Sequence, residues 1–130
     1  MPGVGVFVSI HDDDGVYKHW AVFIDGINDK ALLHVKGSDG RFRYEPETRD
    51  ARRSKSLVEL VHLCNVDVAK ISEIKAVAGQ VIVRNESRGW NCQDYVLELL
   101  EALEEKGLVG GDVHYFEQKA YLEAQLEGLA

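Results

Sequence analysis

Asn91-Cys92-Gln93-Asp94-Tyr95-Val96 is the stretch on which the reading of this chain turns. Asn91 suits a helix N-cap and Gly107 a helix stop, so the pattern predicts a helix from Asn91 to Lys106. Cys92, Val96, Leu99 and Leu103 fall on one stripe at helical spacing. That stripe should face the core, with the thiol turned inward at the helix N-terminus. The positive end of a helix favours the thiolate, the nucleophilic form of cysteine. Free cysteine is more often an inert small hydrophobe, so a reactive role requires a base from elsewhere in the chain.

Upstream, the pattern changes to strands. Val4, Val6, Val8 and Ile10 alternate with Gly5, Phe7, Ser9 and His11. Asp12-Asp13-Asp14-Gly15 reads as a turn, and Val16 to Asp25 as the second arm of a hairpin. Ala31 to Lys36 reads as a third strand and Arg41 to Glu45 as a fourth, with turns at 26–29 and 37–40. Pro46 to Lys55 is a polar loop. Leu57 to Val66 fits a strand by its β-branched residues, and a helix by the spacing of Leu57, Leu60, Val61 and Cys64. Short helical patterns cover Ala69 to Ala78 and Val113 to about Leu126, the last capped by Asp112. The fold class is α+β: an antiparallel sheet of four or five strands packed against the Cys92 helix, with two further helices.

The bulk properties narrow the function. At 130 residues, with no repeat or linker, a single domain over 1–130 is expected. Fifteen basic against 22 acidic residues give a net charge of −7, which argues against nucleic acid or an anionic membrane as the main partner. No segment has the length of uninterrupted apolar sequence that an integral membrane helix needs. Two cysteines, Cys64 and Cys92, without a secretory leader point to a reducing compartment, the cytoplasm. His11-Asp12-Asp13-Asp14-Gly15 lacks the further ligands of a calcium loop, and His62 with Cys64 is too small a set for zinc. No metal and no cofactor is therefore expected.

The candidate base lies in Tyr17-Lys18-His19-Trp20-Ala21-Val22-Phe23-Ile24. Alternation puts Tyr17, His19, Ala21 and Phe23 on one face, and Lys18, Trp20, Val22 and Ile24 on the other. His34 shares a face with Leu32 in the next strand, so His19 and His34 can stand side by side. If the Cys92 helix packs on that face, Cys92 is the nucleophile, His19 the base and His34 the residue that orients it. Tyr17, Trp90 and Gln93 are candidates for lining the substrate site, and the Cys92 amide for binding an oxyanion.

These motifs together resemble the lecithin:retinol acyltransferase family, closest to its H-Ras-like suppressor branch. The resemblance rests on the His19-Trp20-Ala21 strand, Leu33-His34-Val35, and the Asn91-Cys92 helix start, in that order. It implies a circularly permuted, NlpC-like papain fold with a Cys92, His19, His34 triad. The family usually has Glu-His after Asn-Cys, where this chain has Gln93-Asp94, and its membrane anchor is not found here. The substrate class implied is then a lipid acyl ester, as in that branch, or a peptide or isopeptide amide, as in other permuted relatives. The alternative is a non-catalytic binding or signalling module on the same scaffold.

Overall fold

A computed structural model describes residues 3–127. The architecture is α+β, a four-stranded antiparallel sheet with three α-helices. Among the described residues six strands are formed: β1 (Val4–His11), β2 (His19–Asp25), β3 (Lys30–Leu33), β4 (Val35–Lys36), β5 (Arg43–Tyr44) and β6 (Leu57–Val66). The helices are α1 (Ile71–Gln80), α2 (Cys92–Glu105) and α3 (Val113–Glu123). The sheet order is β3-β2-β1-β6, and β4 pairs separately with β5.

The ambiguous segment 57–66 is a strand. It supplies a long antiparallel partner for β1, from Val4 opposite Val66 to His11 opposite Leu57. Ten residues of helix there would leave the whole edge of β1 unpaired, and unpaired backbone groups are costly to bury.

Alternation splits the sheet into two unlike faces. Val6, Val8 and Ile10 of β1 and Trp20, Val22 and Ile24 of β2 form one core with Val96, Leu99, Leu100 and Leu103 of α2. Ala21, Phe23, Leu32 and Ala51 form a smaller cluster on the opposite face, flanked by Phe7 and Leu60. The helix therefore packs on the Trp20 face and not on the face of His19 and His34. The physical reason is the content of the faces. Trp20 and the branched aliphatics offer a continuous apolar surface to an amphipathic helix, whereas the other face also carries the buried polar residues Ser9 and His11.

The third predicted strand is interrupted at His34, which belongs to neither β3 nor β4. Leu32 exchanges main-chain hydrogen bonds with Glu47, at 2.8 and 2.9 Å, and the His34 carbonyl accepts from Glu45 N–H at 3.0 Å. The loop after β5 thus completes the edge of β3 and carries Glu47 to His34. The segment 16–18, predicted as strand, is irregular and leads into β2 at His19.

Candidate active site

Cys92 is the first residue of α2. Asn91 caps the helix by accepting the Gln93 N–H at 2.8 Å, while Asp94 Oδ2 accepts the Asn91 N–H at 2.9 Å. This reciprocal box fixes the entry of the chain and leaves the Cys92 amide outside the capping bonds. The thiol donates to the Lys18 carbonyl at 3.8 Å, and the main-chain N–H groups of Trp20, Cys92 and Gln93 face the sulfur. The sulfur is thus seated against the start of β2, beyond the point where β3 pairing ends at Val22.

That position resolves the mismatch of faces. His19 shares the phase of Ala21 and Phe23, opposite α2, but it is the first residue of β2. At this open strand end the two side chains line one cleft of about 350 Å³, together with Tyr17, Val35, Phe42 and the 13–16 turn.

His19 Nε2 lies 2.7 Å from His34 Nδ1. His34 Nε2 lies 3.2 Å from Glu47 Oε1, close but poorly aligned for a hydrogen bond. Glu47 is held in turn by Lys36 Nζ at 3.0 Å and Arg49 Nε at 3.1 Å. The charge of Glu47 beside His34 Nε2 is the basis for assigning the tautomers. A nitrogen facing a carboxylate carries its proton, so His34 Nδ1 is the acceptor and His19 Nε2–H the donor. His19 Nδ1 is left with a lone pair.

Burial sets the resting charge states. It lowers His19 to about 3, reinforced by His34 and His11, and lowers His34 to about 4 against the opposing pull of Glu47. Burial likewise raises the Cys92 thiol to about 11, outweighing the N–H groups that face it. The expectation that the helix start favours a thiolate is thus corrected, because the desolvation of a residue only 2% exposed outweighs the dipole. Alkylation of Cys92 by iodoacetamide should consequently climb with pH into the alkaline range. A plateau at mildly acidic pH, measured by peptide mass spectrometry, would reveal a resting thiolate and overturn this assignment.

The other sequence candidates separate. Tyr17 lines the cleft, and burial followed by the nearby Cys92 raises its hydroxyl to about 12, keeping it a donor. Trp90 does not line it. Its ring packs edge-on against Phe42, and its indole donates to Glu98 Oε2 at 2.7 Å. Gln93 is fully buried, and its side chain is committed elsewhere: Nε2 donates to the Lys18 carbonyl at 2.9 Å and Oε1 accepts Glu127 N–H at 2.8 Å. Both belong to the walls behind the cleft. His62 is remote from this site, with its ring 3.1 Å from that of His114. Cys64 is half-buried and also raised to about 11 by burial.

Two neighbours were not placed at this site from the sequence. Glu47 comes from the polar loop, where no periodicity marks it. His11 pairs directly across from His19 in the β1–β2 ladder, with ring centroids 6.0 Å apart. Its place in the alternation of β1 was the available signal.

Among the described residues, no helix is long and apolar enough to cross a membrane, and no group of three or more His, Cys, Asp or Glu side chains is placed to hold a metal ion. The model of a family of unknown function, DUF6540, matches residues 6–110. No curated protein and no solved structure matches the chain.

Proposed function

The chain belongs to DUF6540, a family of unknown function, and we propose that it is a thiol-dependent acyltransferase or hydrolase that works through a thioester on Cys92. The observation that carries the reading is the shared cleft. It holds a cysteine at a capped helix start and a histidine whose Nε2 is engaged by a second histidine.

In this reading the substrate carbonyl lies over Sγ, and His19 Nδ1 takes the thiol proton as sulfur attacks. His34, backed by Glu47, holds the His19 ring and stabilises the imidazolium that forms. The isolated pKa directions oppose ionisation of either partner. Proton transfer creates both charges together, however, and their attraction in a water-poor site offsets part of the desolvation. The Cys92 amide and the Tyr17 hydroxyl are the donors available to the oxyanion. The His19 imidazolium then protonates the leaving group, and water or another acceptor releases the acyl group.

The permuted papain-like arrangement belongs to this proposal, as does a cytoplasmic location, which would keep both thiols reduced. The apolar cleft walls Val16, Val35 and Phe42 suit the acyl part of a lipid ester or an apolar peptide side chain. The test is a screen of acyl esters, acyl thioesters and isopeptides, read as acyl mass on the Cys92 peptide. Acylation confined to Cys92 supports the reading; no adduct with any class sinks it. A non-catalytic binding module is the second reading, favoured by the burial of Cys92 beside a half-buried His19.

Within the relay, His34→Gln should reduce the acylation rate about 10-fold, below the roughly 10²–10⁴ expected of the base itself. The measurement is single-turnover acylation. A loss equal to that of a His19 variant would make His34 more than an orienting group.

A further inference from the structure

A second cleft, of about 420 Å³, adjoins the first beyond His19. Both are lined by His19, Asp13, Lys36 and Gly37, but Cys92 lines only the first. The second is walled by His11, His34, Arg49, Ser54 and Ser56. Where the Cys92 side has Val16, Val35 and Phe42, this side has a guanidinium and two hydroxyls, and the Lys36 ammonium is shared by both. From that contrast we propose that the second cleft is the leaving-group and acceptor subsite, and that it binds an acceptor bearing an anionic group, a phosphate or a carboxylate. The inference rests on the thioester reading of Cys92.

The chemistry orders the two clefts. The acyl carbon must be at the sulfur, and the departing or entering heteroatom must be at the base, so the second reactant extends past His19 away from Cys92. In transfer, the acceptor hydroxyl attacks the thioester carbonyl. Its C–O bond forms, the C–S bond breaks, and the hydroxyl proton passes by way of His19 to the sulfur, regenerating the thiol.

The cationic donors left free favour an anion there, while the formal charges of Lys36, Arg49, Glu47 and Asp13 sum to zero. Arg49 uses Nε for Glu47, and its terminal NH₂ groups make no hydrogen bond among the described residues. Lys36 and Arg49 share the single charge of Glu47, leaving one positive charge, while Glu45 lies 3.7 Å from Lys36 and is itself paired with Arg43. Asp13 stands at the junction of the clefts and opposes the anion from that side. The Ser54 and Ser56 hydroxyls lie 2.9 Å apart, and Ser56 Oγ is 3.2 Å from His11 Nδ1, so a hydroxyl and imidazole chain lines the same cleft as Arg49. Such an arrangement can turn donors toward bound oxygens.

Two measurements test the proposal. Inorganic phosphate and acetate are titrated into the intact protein while the ring resonances of its histidines are followed by NMR. Saturable shifts of His11 and His34, with His62 and His114 unmoved, and affinity reduced several-fold by Arg49→Gln but not by Arg53→Gln, are expected. Shifts absent, or unaffected by Arg49→Gln, overturn it. Next, Cys92 acylated with p-nitrophenyl acetate is offered glycerol, glycerol phosphate or glycerate. Faster transfer to glycerol phosphate or to glycerate supports the subsite and says which anion it takes. Equal transfer to all three overturns it. Loss of selectivity in Arg49→Gln, read as a ratio, is not produced by general damage to the base. If Cys92 fails to acylate, the thioester reading falls, and the NMR titration still decides whether the cleft binds anions.

Discussion

Cys92→Ser should abolish turnover of any acyl substrate while leaving the protein folded. Serine is close in size to cysteine, and its hydroxyl can donate to the Lys18 carbonyl that now receives the thiol. The cap is made by Asn91 and Asp94 and does not involve the sulfur. A hydroxyl is far harder to ionise than a thiol, and a base held as weak as His19 will not compensate. The loss should be about 10⁴-fold or more, on the scale of removing a nucleophile. His19→Ala should approach the same loss, at a further stability cost of roughly 1–3 kcal/mol because His34 Nδ1 is left buried without its donor. Activity is read as acyl-enzyme formation and product release, and folding as circular dichroism and thermal midpoint. Full activity in either variant ends the enzyme reading. Unfolding of Cys92→Ser would instead make Cys92 a packing residue.

Parts of this site are legible in the sequence alone, for definable reasons. The helix start at Asn91-Cys92 is legible because capping is local and the stripe of Cys92, Val96, Leu99 and Leu103 repeats at helical spacing. The proximity of His19 and His34 follows from alternation in strands joined by a short turn. The face on which α2 packs does not follow. It depends on which side of β2 has partners from β1, and that is decided by the summed apolar content of two strands. Glu47 is out of reach because a loop residue is placed by a pairing with Leu32 that leaves no periodic trace. Gln93 looks like a site residue because it adjoins Cys92. Along a helix, however, adjacent residues point about 100° apart, and this one turns toward the chain that follows α3. The charge state of the thiol is misread for a related reason: a dipole can be read from a helix start, whereas desolvation depends on what covers it.

Acidification supplies a second large effect. His19 and His34 are held neutral by burial, with folded-state values of about 3 and 4 against 6.5 for an ordinary imidazole. Between those values and 6.5 the unfolded chain binds protons that the folded chain refuses, so stability falls as pH falls. The contribution is fully present above pH 6.5 and is lost progressively toward the folded values of about 3 and 4. For the pair the loss should amount to several kcal/mol, since each tenfold difference in proton affinity between the folded and unfolded chain is worth roughly 1.4 kcal/mol, and His11 adds in the same direction. Asp25 does not confuse the window. Its hydrogen bond from Arg52 depresses it from 3.8 to about 2, so its contribution is intact above about pH 4 and lost only below. Urea midpoints measured stepwise from pH 7 to pH 4 should therefore drop steeply in the native chain. His19→Gln combined with His34→Gln should flatten the profile across that range, even if the double variant begins less stable. An equally steep fall in the double variant would place the acid sensitivity elsewhere, and would mean that the two imidazoles are not the neutral pair on which the relay from Cys92 to Glu47 depends.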